Sequence, residues 1–402
     1  MYKIKIFFGR TVLFSLYSLI RLFSLLPTKK SKETGNVVVL TGIFYSKNWI
    51  DAHLIPLVTC ASVKHVYIVS NIVDYELEGL TIINPPPILA SVVGATLARL
   101  STFFICTLKN QPDYIGGFHI LFNATLAILF AKIFRCRSIY FSGGGITETL
   151  ENGKTENDFF KFLKGKDEFI TDYICKIIAC ASRVITMGKG AKLFFSENGT
   201  HNNKIHIISG SIDRNQFYFD DSICKEFDIV LTARLSQVKQ VDLYLDIIKE
   251  IKERQIICRA LVIGDGPLLS ELKEYAKQLC IEDRVYFAGH QSDVLPWLQK
   301  SKLYLLTSQS EGLSLSMLEG LKVGLPAIVP NVGDLSDVLV NNYNGYLIEN
   351  HDVEEFSKSI IKLIQNPDLL SEYSANAIES TRRFDLACVQ QQWNKLFTAE
   401  SN

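Results

Sequence analysis

The chain has 402 residues, 48% of them apolar and 21% charged, which excludes a disordered protein and suits two or three domains with separate cores. Its 42 basic and 42 acidic residues cancel, yet residues 1–214 carry 24 Lys/Arg against 15 Asp/Glu and residues 215–402 carry 18 against 27. This split argues against a nucleic-acid binder and favours a basic half beside an anionic membrane surface.

Residues 1–35 hold Lys3, Lys5, Arg10, Arg21, Lys29, Lys30 and Lys32 against Glu33 alone, around an apolar run at 11–27. The longest uncharged stretch before Arg21 is 11–20, short of the ~20 residues a spanning helix needs. No small-x-small cleavage site follows Leu26, which argues against a secretory signal. Two readings stay open: an amphipathic helix lying in the membrane plane with snorkelling arginines, or a buried first helix of the next domain.

From residue 36 the pattern changes to continuous β-branched runs, the mark of strands buried on both faces. They are expected at 37–41, 66–70, 81–84, 114–118, 138–141, 184–187 and 204–208, with helix-length segments between most of them. Pro85-Pro86-Pro87 precedes an apolar stretch at 88–108, read as a helix or helix pair in a core or on a membrane-facing surface; a spanning helix there would bury Arg99. A second series has strands expected at 228–232, 259–263, 285–288, 303–307, 327–330 and 345–348, and helices at 241–254, 267–280, 294–300, 315–323 and 353–365. The pattern predicts an α/β protein: residues 36–214 and 226–385 as two Rossmann-like domains facing each other across a cleft, 215–225 as linker, and 386–402 as a helix packing back toward the N-terminal domain. Nine scattered cysteines without a C-x-x-C pair exclude a disulfide framework or zinc ribbon and imply a reducing compartment.

Ligands of such sheets bind beyond the carboxyl ends of strands, so the loops there hold the candidate residues. Arg234 closes one strand and Lys239 opens the next helix, two cations with no visible acidic partner that suit a diphosphate. Gly264-Asp265-Gly266-Pro267 is a strand–turn–helix junction whose glycines allow close backbone approach, too short for the dinucleotide fingerprint. Glu311 lies in the loop after a third strand, and Glu319 inside the following helix. The amides of Gly312, Leu313, Ser314 and Leu315 form that helix's amino end, an anion site. Each feature alone is common; a solvated charge, a tight turn or a surface acid would explain it.

Arg-x4-Lys, then Gly-Asp-Gly-Pro, then Glu-x7-Glu with glycine after the first acid, in that order on successive βα units, resembles glycosyltransferase family 4. These are the retaining enzymes of the glycosyl transferases group 1, with the GT-B fold. The resemblance covers most of 227–384 and is fainter over 36–214, where Pro112-Asp113 leads a strand to His119. It implies that Arg234 and Lys239 hold the donor diphosphate, with Gly264 and the 312–315 amides beside them. It implies further that Glu319 accepts hydrogen bonds from the donor ribose, and that Glu311 and His119 act at the donor sugar. The family's glycines before the arginine and after the lysine are here Ala233 and Gln240, and its glycine-rich loop after the first strand is reduced to Gly42. Gly143, Gly144 and Gly145 are the alternative close-approach backbone on the acceptor side, or a tight turn.

The sequence holds no Asp-x-Asp metal motif, so transfer without metal or cofactor is expected, from a UDP- or GDP-sugar. With the basic N-terminus, a lipid-linked saccharide acceptor at the cytoplasmic inner face of the membrane is expected, in O-antigen or capsule assembly. A nucleotide-sugar epimerase of similar fold and a non-catalytic membrane-bound adaptor are the alternatives.

Overall fold

The computed structural model describes residues 2–29, 32–44, 47–72, 74–149 and 167–398, with the side chains of 2–4 left out. Parts of the predicted basic segment (1, 30, 31) and of the predicted terminal helix (399–402) lie outside these residues. The chain forms two compact units: 1–211 with 386–402, and 212–385.

Unit 1 begins with α1 (Tyr2–Phe23), followed by β1 (Asn36–Thr41), α2 (Lys47–Val58), β2 (Val63–Val69) and β3 (Leu80–Ile83). Then come α3 (Pro87–Val93), α4 (Ala95–Asn110), β4 (Tyr114–Phe118), α5 (Thr125–Ile133), β5 (Arg137–Ser142), α6 (Glu168–Ala179), β6 (Arg183–Thr186), α7 (Lys189–Glu197) and β7 (Ile205–Ile207). All seven strands pair in parallel in the order β3-β2-β1-β4-β5-β6-β7, so the order reverses between β1 and β4. β4 is buried along its whole length, as expected of a central parallel strand covered on both faces.

The predicted N-terminal helix is a single one running through Arg10 and Arg21, and by length and composition alone Lys5–Phe23 could cross a bilayer. Here it lies against unit 1. Leu13 and Ile20 are fully buried in a core shared with α5 and α6, roughly 1.5–3 kcal/mol each. The Arg10–Asp167 ion pair at 3.0 Å is half exposed at the arginine and adds at most ~1 kcal/mol, so apolar packing holds the helix. Asp167 also caps α6, accepting from the Ile170 amide. The predicted helix over 88–108 is a pair, broken at Gly94, whose φ of 84° suits glycine.

Unit 2 comprises β8 (Phe227–Thr232), α8 (Val241–Glu253), β9 (Ala260–Ile263), α9 (Leu269–Gln278), β10 (Val285–Gly289), α10 (Leu295–Gln299), β11 (Ser301–Leu305), α11 (Leu315–Lys322), β12 (Ala327–Pro330), β13 (Gly345–Ile348), α12 (Val353–Ile364) and α13 (Pro367–Ser380). Its six parallel strands run β10-β9-β8-β11-β12-β13, reversing between β8 and β11. The expected strand at 303–307 begins and ends two residues earlier, because Ser301 and Leu303 pair with β8 and Thr307 turns to the loop. α13 was not foreseen; Asn366 caps it and Pro367 occupies its first turn, where a missing N–H is harmless. The last helix, α14 (Leu386–Thr398), belongs to unit 1, where Trp393 and Phe397 join the core under β1, β4 and β5.

Candidate functional site

In unit 2 the loops after β8, β9, β11 and β12 are stitched edge to edge. The Ala233 amide donates to the Ile263 carbonyl (3.0 Å) and the Leu235 amide to that of Asp265 (2.9 Å), so the two backbones flanking Arg234 are fixed by the β9 loop. Gly264 has φ 137°, and a Cβ there would sit 1.9 Å from the Ala233 carbonyl oxygen; one on Gly266 would meet the Leu235 oxygen at 2.4 Å. The close approach expected of these glycines is thus taken up by the chain's own Arg234 loop. Across the strand-order reversal, Thr307 Oγ1 donates to the Lys239 carbonyl and the Gln309 amide to that of Val238. The Asp334 amide donates to Gly312, and Gly333 passes so close that a Cβ would stand 2.0 Å from the Glu311 oxygen.

This scaffold sets Lys239 Nζ 2.6 Å from Glu311 Oε1. The pairing corrects the expectation that both cations lack an acidic partner: Lys239 and Glu311, 72 positions apart, are brought together by parallel pairing of β8 with β11. Arg234 is exposed and has no side-chain partner among the described residues. Ser314 caps α11, its Oγ accepting from the Met317 amide, while the Leu315 and Ser316 amides have no partner among the described residues. A first-turn end with open amides carries partial positive charge. Leu313 is buried and anchors the loop. Glu319 is buried on the same helix, and with Glu311 it helps raise the Tyr304 phenol, after burial, which is the larger cause. Both acids therefore lie on the Tyr304 side. Gly320 makes room for that ring, since a Cβ would stand 2.7 Å from it. Thr232 Oγ1 and Ser308 Oγ, both missed by sequence reasoning, are buried beside this loop cluster with no hydrogen-bond partner among the described residues.

In unit 1 the strand-order reversal lies between Gly42 and His119. His119 has φ 63° and holds Nδ1 3.1 Å from Glu148 Oε1. Glu148 also accepts from the Gly144 amide (2.7 Å), the Ile120 amide (2.8 Å) and the Tyr140 hydroxyl (3.0 Å). Burial pushes its carboxyl up, but the His119 ring and the two amides outweigh burial and hold it below the usual range. The three glycines serve this pair. A Cβ on Gly143 would reach the His119 ring at 3.0 Å, Gly144 supplies an amide, and Gly145 turns the chain at φ 58°. Glu148 escaped the sequence reading because it lies 29 residues from its histidine; the adjacent Gly-Gly-Gly was the available signal. Gly42 makes room for Phe44 and Phe118.

Beside this pair is a small pocket lined by Trp49, His53, Phe118, Phe141, Met187 and Trp393. His53 is buried there, its Nε2 without a hydrogen-bond partner among the described residues, and burial, then the charge of His119, lowers it from 6.5 to about 3. It stays neutral at physiological pH. Among the described residues no three His, Cys, Asp or Glu side chains gather as a metal site would require.

Two Rossmann-like units, each with polar side chains at its strand-order reversal and one with cations and an open helix end, define an α/β protein equipped to hold a phosphorylated ligand. Residues 216–380, within this second unit, match the family of glycosyl transferases group 1. It is 25% identical over 219 residues to an uncharacterized glycosyltransferase of Haemophilus influenzae, covering 54% of this chain and 61% of that protein. It is also 25% identical over 216 residues to the UDP-Gal:alpha-D-GlcNAc-diphosphoundecaprenol alpha-1,3-galactosyltransferase of Escherichia coli, covering 50% of this chain and 56% of that protein. The chain thus spans little more than half the length of these relatives. Among solved structures, Anabaena HepE in complex with UDP-glucose superposes with a TM-score of 0.69 over 90% of this chain and 100% of that one, at 16% identity, which shows the GT-B fold.

Proposed function

We propose that the protein is a retaining, metal-independent glycosyltransferase that moves a sugar from a nucleotide-sugar donor to a lipid-linked saccharide. The observation that carries this reading is the convergence of Arg234, the Lys239–Glu311 pair and the open first turn of α11 at the strand-order reversal of a family-matched unit. In the reaction the bond between the sugar's anomeric carbon and the diphosphate oxygen breaks, and the acceptor oxygen forms a new bond to that carbon and gives up its proton to the departing diphosphate oxygen. The leaving diphosphate gathers negative charge, which Arg234, Lys239 and the Leu315 and Ser316 amides stabilise. Bound donor draws Lys239 from Glu311, and Glu311 is thereby released to the sugar. Glu319 is assigned to the ribose. His119, fixed by Glu148 through Nδ1, presents Nε2 to the sugar.

The E. coli relative's name specifies a diphosphoundecaprenol acceptor and UDP-galactose, and HepE was solved with UDP-glucose. These support a UDP-sugar and a lipid-linked acceptor for this chain; its basic N-terminal segment supports the cytoplasmic face of the membrane as the place of reaction, in surface-polysaccharide assembly. Purified protein should release UDP from a UDP-sugar only when a polyprenyl-diphosphate saccharide is supplied, with the anomeric configuration kept in the product. Sugar interconversion without acceptor would establish an epimerase instead, and binding without turnover an adaptor.

A further inference from the structure

On one face of the unit 1 sheet, α4, α5 and α1 lie side by side. α5 gives Ala127 and Ala131 to a core with Phe103 of α4, and Ile128 and Leu129 to a core with Leu13 and Ile20 of α1. Phe104 of α4 packs edge-on against Phe130 at 5.2 Å and also meets Phe134 just beyond α5. The exit of α1 is tied to the same end of α5: Arg135 Nε donates to the Pro27 carbonyl at 2.9 Å, and the Lys29 amide donates to that of Arg135. The outer surface of this layer is apolar. Of the 22 large apolar side chains that stand exposed among the described residues, 14 lie on α1 and its exit turn, α3 or α4. Phe7, Ile88 and Leu97 are 73%, 81% and 58% exposed, and α3 buries none of its residues although all seven are uncharged. Isolated exposed apolar residues need no explanation, but this concentration on one layer does.

The charge around it selects the partner. Residues 1–32 and 80–137 hold twelve Lys/Arg and one acid, Asp113, which Lys32 neutralises at 2.9 Å; Arg99 is buried and Arg10 pairs with Asp167, while Lys5, Arg21, Lys29, Lys109 and Arg135 stand exposed. A second copy of this chain would bring the same cations together across the contact. An anionic bilayer supplies both an apolar interior and the opposite charge. We propose that this face is a bilayer-docking surface. The α3–α4 pair and α1 sink in-plane into the headgroup boundary of an anionic leaflet, while Lys5, Arg21, Lys29, Lys109 and Arg135 meet the lipid phosphates. α1 stays packed on α5 and α6 and does not span the bilayer.

The test is flotation of the full chain with phosphatidylcholine vesicles, with and without phosphatidylglycerol; it needs no nucleotide sugar, so its failure is distinct from failure of the enzymatic reading. The protein should float with the anionic vesicles and be released by added salt. I88D/L97D should lower the bound fraction about tenfold or more, since each change takes an apolar contact out of the headgroup boundary. K29E/K109E, at exposed positions, should weaken anionic-vesicle binding alone, by roughly fivefold per charge. Circular dichroism melting curves matching the native chain would show that the variants fold. Three results would each overturn the proposal: I88D/L97D floating like the native chain, a lipid-free dimer that these substitutions dissociate, or resistance of the native protein to alkaline extraction, which marks a spanning α1.

Discussion

In unit 2 the strand order reverses between β8 and β11, and the loops there present a lysine–glutamate pair, an open arginine and a helix end. In unit 1 it reverses between β1 and β4, and the loops present a histidine held by a buried glutamate over a glycine, beside a pocket walled by aromatic rings. One topology therefore carries two chemistries. The parallel sheet fixes where polar groups can gather, and loop residues decide which groups gather there.

That contrast can be broken by substitution. Lys239→Ala should cost the most: turnover falling ~10²–10³-fold, as when a stabilising donor to a leaving group is removed, with weaker donor binding by calorimetry. A variant that kept its turnover would remove unit 2 from the charge-stabilising role. Glu148→Gln should lower kcat by ~10–100-fold through misplacement of His119 and weaken donor binding less than Lys239→Ala does, because the diphosphate is assigned to the other unit. A loss of donor affinity as large as that of Lys239→Ala would blur the division of labour. Gly143→Ala is a milder form of the same test, costing about tenfold in kcat by tilting the His119 ring away from the added methyl, with the melting temperature preserved.

The last expected effect is on acid stability and not on turnover. His53 takes a proton near 6.5 when unfolded but only near 3 when folded, so stability is lost as pH falls between those values. Glu148, held below its usual range, acts in the same sense: its contribution is present above the ordinary carboxylate value and fades as pH falls through the lowered one. His53→Leu should therefore gain on the native chain by up to about 1.4 kcal/mol per pH unit below 6.5, read from denaturant melts at stepped pH. Equal acid sensitivity would mean that His53 protonates without penalty.

Much of the fold was legible because buried parallel strands need continuous β-branched runs, which Val37–Thr41 and Ala327–Pro330 display without help from distant residues. In unit 2 the two glutamates share one loop and helix, so their sequence spacing already put them near each other. What escaped was pairwise and distant. Neither the contact of Lys239 with Glu311 nor that of His119 with Glu148 can be read from residue type, because a sheet register brings them together. Arg99 is a third case: sequence reasoning noted its charge in an apolar helix but not that Asn123, beyond β4, would accept its hydrogen bond.

The way the chain enters and leaves unit 2 has a practical consequence. The Ile212 amide donates to the Phe384 carbonyl at 2.8 Å, and Asp385 is gripped by Lys322 and Arg214, both at 2.6 Å. The first and last residues of the unit are therefore neighbours, and the whole of 212–385 is one uninterrupted cassette set into the sequence of unit 1. If unit 2 holds the activated sugar as proposed, swapping that cassette for its counterpart from a relative, through two adjacent junctions, should carry the choice of donor with it.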